Sequence, residues 1–364
     1  MAKRNGSVRW VVCAATLALG GSVARPAGAL QGEALHVEIA PSEARGLGAE
    51  EGVCRRDPSD VVELDGRWYV FYTRVEADAQ HPLAEGGWPR YPSGYLGTIW
   101  YATSTDEGHT WTERGEALGR GASGSFDAFG VFTPNVLVGG PGEVFLYYTG
   151  VGEGFDNRPD DYGDRNRTAI GVARLRLAPD GSLLERQRLV GGRPVLQPSP
   201  AESARFDSFR VDDAALIVRD GRIWLYYKGR AFQRTPRQTR MGVAVGDRPE
   251  GPFTPDPDPL VCQLERRGSI DPRSFVDADG ELWLHWKSDD NADVDGSTTA
   301  SIYAQRLTPD GTALQGEPTR ILEADQGWEG RNVEAPHMIT LGGNHWLFYS
   351  GNWYNQPVYA IGLA

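Results

Sequence analysis

The sequence predicts an all-β chain folded as a five-bladed β-propeller, and three observations support this. One pattern is written five times, a glycine followed directly by an aromatic-rich strand: Gly66-RWYVFYT, Gly142-EVFLYYT, Gly221-RIWLYYK, Gly280-ELWLHWK and Gly343-NHWLFYS. Successive glycines lie 76, 79, 59 and 63 residues apart, which is room for about four strands per unit, as in a propeller blade. Nine residues before each glycine stand Asp57, Thr133, Asp212, Asp271 and Glu334, so four of five units carry a carboxylate at one counted register.

Each copy pairs a short apolar strand with a tight Asp-Gly or Gly-Gly turn and a second strand rich in Trp, Tyr and Phe. This is hairpin chemistry, because glycine supplies the positive φ of the turn and aromatic residues fit a pleated surface. In a propeller the first strand of every blade runs beside the central axis. Equivalent positions at its start therefore face one another across one mouth of the channel, and the four acids are expected to converge there. Pro58, Pro134, Pro272 and Pro336 stand at or just after these positions, where a missing N–H suits the start of a strand.

At the N-terminus, Lys3, Arg4 and Arg9 precede an apolar run from Trp10 to Leu19 and then Ala27-Gly28-Ala29. This is the pattern of a secretory signal peptide over residues 1–29, leaving residues 30–364 as one propeller domain, secreted or periplasmic. The run is too short to span a bilayer. Removing Lys3, Arg4, Arg9 and Arg25 takes the formal net charge from -12 to -16, which disfavours nucleic acid and other polyanions as partners. Cys54 and Cys262 then remain, a pair that an oxidising compartment would allow to bridge or stay free, without metal-ligand spacing.

Leu35–Ala40 alternates like a lone strand, while the last blade has sequence for only three. The N-terminal strand is expected to complete blade five and cover its edge, the rival reading being a truncated C-terminus. In blade one, Ser104-x-Asp106-x-Gly108-x-Thr110-Trp111 fits the Asp-box turn, in which the Asp caps backbone N–H groups and the Trp packs beneath. In blade two Thr133 breaks the acidic register, and Asp127 reaches the mouth from the preceding loop or caps that loop locally. Blade three pairs Asp212 with Asp213, and the counted register picks Asp212 for the channel. After blade four, Asn291-x-Asp293-x-Asp295-Gly296 looks like a calcium loop, but position twelve is Ile302 instead of Glu. In blade five His337 follows Glu334 by three residues. Arg210, Arg273 and Arg331 lie near the acids, to hold sugar hydroxyls or to form salt bridges.

At SIDPRSFVDADGELWLHWKSDDN and VEAPHMI…LFYSGNWYN, from about Pro252 onward, the chain resembles glycoside hydrolase family 43, five-bladed inverting enzymes acting on arabinosyl, xylosyl and related linkages. That resemblance implies that Asp271 tunes a pKa and Glu334 is the general acid. Through RDPSDVV, SFDAFGVFTPN and FRVDDAALIVRDG, from about Arg55 to Asp247, it is similar to family 117, which acts on anhydrogalactose-containing oligosaccharides. This second resemblance implies Asp57 as general base, assisted by Asp212. In both families base, modulator and acid sit on blades n, n+2 and n+3. Asp57 as base would thus place the acid at Asp271, whereas Glu334 as acid would place the base at Thr133, which cannot serve. The family 117 helical extension used in dimerisation is missing, which leaves oligomeric state open.

Inverting hydrolysis needs one carboxylic acid and one carboxylate. Positions at a radius of about 5 Å stand roughly 6 Å apart on adjacent blades and nearly 10 Å on alternate ones, near the ~6.5–9.5 Å such pairs use. The expected function is an exported inverting glycosidase with Asp57, Asp212, Asp271 and Glu334 as its catalytic acids, and Arg210, Arg273, His337 and Asp127 toward an oligo- or polysaccharide. The alternatives are a non-catalytic carbohydrate-binding propeller and a scaffold. The chemistry requires no cofactor, and the resemblance allows a structural calcium ion.

Overall fold

The computed structural model describes residues 45–48, 50, 52–76, 97–153, 166–231, 238–290, 298–341, 343–354 and 358–364, excepting the side chains of 56–58 and 341. Five antiparallel sheets follow one another along the chain as blades. Blade one is β1 (Val53–Leu64), β2 (Arg67–Glu76), β3 (Thr98–Ser104) and β4 (Thr112–Leu118). Blade two is β5 (Gly130–Gly140), β6 (Glu143–Val151), β7 (Ala169–Leu177) and β8 (Leu183–Arg188). Blade three is β9 (Arg210–Arg219), β10 (Arg222–Arg230), β11 (Thr239–Gly246) and the two-residue β12 (Thr254–Pro255). Blade four is β13 (Ser269–Val276), β14 (Leu282–Ser288), β15 (Ser301–Leu307) and β16 (Leu314–Glu323). Among the described residues blade five has three strands, β17 (Val333–Leu341), β18 (Asn344–Gly351) and β19 (Ala360–Leu363). The Leu35–Ala40 segment and the Asn291–Gly296 run lie outside the described residues.

Each sheet alternates its side chains between the two neighbouring blades, so the core is a set of wedges. Phe71, Leu146, Tyr147 and Leu225 belong to the largest, which joins blades one to three, while Trp286 and Tyr226 fill the wedge between blades three and four. These residues are fully buried. Each such side chain is worth about 2–3 kcal/mol relative to exposure, so the aromatic second strands hold the ring together. The Asp-box is present: Asp106 accepts from Ser104 Oγ at 2.7 Å and from Thr110 N at 2.8 Å, and Trp111 is buried beneath. Hydrogen bonds from Thr110 and Ser104 hold the Asp106 carboxyl down at about 2. Cys54 and Cys262 form no disulfide, and Cys54 Sγ donates to Tyr354 O at 3.7 Å.

A second repeat lies under three blades. Phe126-Asp127, Phe206-Asp207 and Trp328-Glu329 each stand five residues before a valine that opens the inner strand: Val131, Val211 and Val333. In each, the aromatic ring packs against a tyrosine of the second strand (Tyr148, Tyr227 or Tyr349), with centroids 6.0, 5.9 and 5.8 Å apart. That tyrosine donates its hydroxyl proton to the neighbouring acid at 3.0, 2.9 and 2.7 Å. The rings occupy space that only glycine leaves: a Cβ at Gly150, Gly229 or Gly351 would lie 2.4–2.6 Å from the ring of Phe126, Phe206 or Trp328.

Candidate active site

All five inner strands carry a bulge near their start. In β5 it falls between Phe132 and Asn135, in β9 at Asp213-Ala214, in β13 between Ile270 and Arg273, and in β17 between Glu334 and His337. In β1 it falls between Arg56 and Asp60, a span that includes Asp57. Two residues oppose one on the second strand in β5, β9, β13 and β17, and three oppose one in β1, which bends the strand and re-aims its side chains. The first bulge residue has positive φ, at 48° in Thr133, 54° in Asp213, 54° in Asp271 and 50° in Ala335. For side chains other than glycine, and above all for β-branched Thr133, this conformation is uncommon and costs about 1–3 kcal/mol. Pro134, Pro272 and Pro336 take the second place, where a lost N–H removes no ladder bond.

This geometry corrects the counted register. The bulge residues are Thr133, Asp213, Asp271 and Ala335, so Asp213, not Asp212, is the counterpart of Asp271 in blade three. Glu334 and Asp212 stand one residue earlier, level with Phe132 and Ile270, and pair across the hairpin with Ser350 and Lys228. Counting back from glycine assumes a constant hairpin. The second-strand turns of blades three and five are two-residue turns, whereas blade four loops from Val276 to Leu282 and blade two has an extra irregularity between Val138 and Gly140. The extra residue shifts the count by one.

The carboxyl groups are packed with two lysines that occupy one register on the second strands. Lys228 of β10 pairs with Asp212 and Lys287 of β14 with Ile270, while blades one, two and five place Thr73, Thr149 and Ser350 there. Lys228 Nζ lies 2.6 Å from Asp213 and 3.3 Å from Asp212. Lys287 Nζ donates to Glu334 Oε2 at 3.1 Å, and the Tyr359 hydroxyl donates to Glu334 Oε1 at 3.0 Å. Asp271 Oδ2 accepts the bulge N–H of Ala335 at 3.0 Å, which joins blades four and five.

Burial, Glu334 and Asp213, in that order, push the Asp271 carboxyl up to about 8, against the opposing pull of Lys287 and Lys228. A carboxyl at about 8 keeps its proton at neutral pH, as crowded carboxyls do. Burial also pushes Asp213 up, with the charge of Asp212 adding to it. Burial acts on Asp212 in the same direction, but Lys228 and Arg210 outweigh it and hold that carboxyl down. Burial disfavours the Lys287 cation, yet Glu334, Asp289 and Asp271 together hold it protonated.

Three residues expected to meet substrate are engaged elsewhere. Asp127 is fully buried in the aromatic–acid repeat, bonded by Arg188 at 2.7 Å, Tyr148 and Ser125; its side chain serves the loop and not the mouth. Arg210 is buried against Asp212 Oδ2 at 2.7 Å. Arg273 crosses the ring to Asp60 of blade one at 2.9 Å, and Asp60 also accepts Val136 N of blade two at 2.7 Å. This tie links non-adjacent blades, below the bulges of β1 and β13. His337 lies beside Arg273 and His285; the charge of Arg273, then burial, depress it to about 3, so it is neutral. Arg331 donates to Thr298 O at 3.0 Å. Sequence reading missed Asp213, Lys228, Lys287 and Asp60. The aromatic–acid–x3–Val repeat was the signal for Asp213, because it aligns Val131-Phe-Thr, Val211-Asp-Asp and Val333-Glu-Ala without counting through the turns.

Among the described residues no group of three or more His, Cys, Asp or Glu side chains is arranged to hold a metal ion. No helix among them is long and apolar enough to cross a membrane.

Residues 205–364 match the family model Glycosyl hydrolases family 43. Over 74 residues the chain is 45% identical to xylosidase/arabinosidase 43A of Humicola insolens, covering 20% of each protein. Over 76 residues it is 38% identical to a beta-xylosidase of Xylanibacter ruminicola, covering 20% of this chain and 21% of that protein. The chain therefore spans about a fifth of the length of these two curated relatives. In fold, it superposes on a family 117 glycoside hydrolase of the marine bacterium Zobellia galactanivorans with a TM-score of 0.59 and 23% identity, over 88% of this chain and 87% of that one. Asp212, Asp213, Asp271 and Glu334 all lie in the part of the ring that matches this family model.

Proposed function

We propose that the protein is an exported inverting glycoside hydrolase that cleaves arabinosyl, xylosyl or anhydrogalactosyl linkages in plant or algal oligo- and polysaccharides. The observation that carries this reading is the Asp271–Glu334 pair: two carboxyls on neighbouring blades, Asp271 bonded by Ala335 N beside Glu334, with burial and the Glu334 charge raising the Asp271 carboxyl. Relatives similar to this chain over 74 and 76 residues are named xylosidase/arabinosidase and beta-xylosidase, which supports the substrate class. The signal-peptide pattern of residues 1–29 supports export.

In this reading the pair, acting as one titrating unit, delivers its proton to the glycosidic oxygen as the C–O bond breaks. Asp57, in the bulge span of β1, accepts a proton from water as the water oxygen bonds the anomeric carbon from the opposite face. One water is consumed, the anomeric configuration inverts, Asp57 gives its proton to solvent and the pair regains one from solvent. Asp213 and Asp212, neutralised by Lys228 and Arg210, shape the pair's field. No cofactor takes part.

Thr133, at the bulge where blades two, three and four could all have been acidic, favours one rival, a propeller that binds carbohydrate without cleaving it. Incubation with arabino-, xylo- and neoagaro-oligosaccharides separates the two. Hydrolysis by the wild type that is lost in D57N, D271N and E334Q supports the enzyme. Calorimetric binding without release of any sugar supports the rival.

A further inference from the structure

Lys287 is the lysine of blade four that lies on the side of β14 facing blade five. It is 3% exposed, and its ammonium is spent on Glu334 Oε2, whose partner oxygen takes the Tyr359 hydroxyl. Asp271, on the adjacent strand of Lys287's own hairpin, receives a neutral amide N–H from Ala335 instead. The two members of the pair are therefore supplied unequally: Glu334 with a cation and a phenol, Asp271 with one backbone donor. A charge-assisted hydrogen bond is roughly twice as strong as a neutral one.

We propose that Lys287 is a positioning residue that pins Glu334 and directs the single proton of the Asp271–Glu334 pair onto Asp271. The inference rests on the glycosidase reading for its consequence but not for its test. The groups facing Lys287 are Glu334 from β17, Asp271 from β13 and Asp289 beyond β14, and Asp271 in turn faces Asp213 and Lys228 from blade three. None of the others reaches Glu334 with a hydrogen bond of the kind Lys287 makes. Removing the cation therefore releases Glu334 more than it affects Asp271, and the proton leaves Asp271.

This predicts a sign opposite to that of simple charge loss. Taking a cation away from Asp271 alone would make Asp271 hold its proton more tightly. If Lys287 acts through Glu334, Asp271 instead gives its proton up. The experiment is carbon-13 NMR of aspartate side-chain carboxyls in the whole protein, with the Asp271 signal assigned by its disappearance in D271N.

At pH 6.5 the wild type is expected to show Asp271 at a protonated-carboxyl shift. K287M moves that signal to the carboxylate position, lowering its midpoint by at least about one pH unit, while K287R keeps it in place. Y359F, which removes one donor from half-buried Tyr359 without disturbing the lysine, moves the signal in the same direction by less, and carries the test should K287M not fold. An Asp271 signal that stays protonated or titrates higher in the folded variants overturns the proposal. A wild type that hydrolyses nothing overturns the glycosidase reading and leaves this measurement intact. In an active enzyme, K287M is further expected to move the alkaline limb of kcat/KM, which a purely structural role for Lys287 would leave in place.

Discussion

At the inner bulge, blade two presents Thr133 and blade four presents Asp271, at φ of 48° and 54° on the same backbone design. Around Thr133 the neighbours are hydroxyls: Thr149 Oγ1 lies 2.6 Å from its own Oγ1, and Thr73 Oγ1 accepts its N–H at 3.0 Å. Around Asp271 they are Lys287, Glu334, Lys228 and Asp213. The two arcs show that the strained bulge is a property of the ring, needed to start each inner strand, and that chemistry is added where second-strand lysines make carboxylates tolerable. A threonine register gives a self-satisfied hydroxyl arc. A lysine register offsets the burial of acids.

The sharpest way to separate the arcs is to remove the acids. D271N and E334Q are each expected to lower kcat by roughly 10²–10⁴-fold, the range of general-acid catalysis, with folding retained, as read by initial rates on the hydrolysed oligosaccharide. Moving an acid into the other arc comes next. T133D buries a carboxylate with no lysine at Thr73 or Thr149, and is expected to cost about 3 kcal/mol or more at pH 7. The loss, measured by urea unfolding, should shrink as pH falls and the new carboxyl protonates. Equal stability of T133D and wild type at pH 7 would break the comparison.

A smaller effect is expected outside both arcs. D127N should destabilise by about 1–3 kcal/mol, through the lost partner of Arg188 and Tyr148, while leaving KM unchanged. A KM rise with unaltered stability would return Asp127 to the mouth. The smallest effect is a slope. Because the Asp271 pKa is raised in the folded state, its contribution is full below about pH 4, the unfolded value, and is lost as pH rises toward about 8. The wild type should lose at most about 1.4 kcal/mol per pH unit across that window on this account, and D271N should flatten the dependence.

The five blades and their order were legible because glycine turns and aromatic strands recur at sequence level. The acid arc was legible only to within one residue. Glycine counting passes through turns of unequal length, so it reached Asp212 where the fold uses Asp213. The Phe126-Asp127 and Phe206-Asp207 repeat, anchored before the strand, keeps the register. Lys228 and Lys287 lie inside the very motifs that defined the repeat, yet their pairing with acids 47 residues or one hairpin away depends on how blades pack. Arg273 and Asp60, 213 residues apart, meet across the ring, a contact that no local pattern encodes.

The central claim, that a carboxyl pair delivers a proton while water attacks from the opposite face, is tested most directly by time-resolved proton NMR of the anomeric signals during hydrolysis of the active oligosaccharide. The account predicts that the first sugar released has the inverted configuration and that this signal is absent in E334Q and D271N. A first product of retained configuration, or an inverted product still released at wild-type rate by both variants, would contradict it.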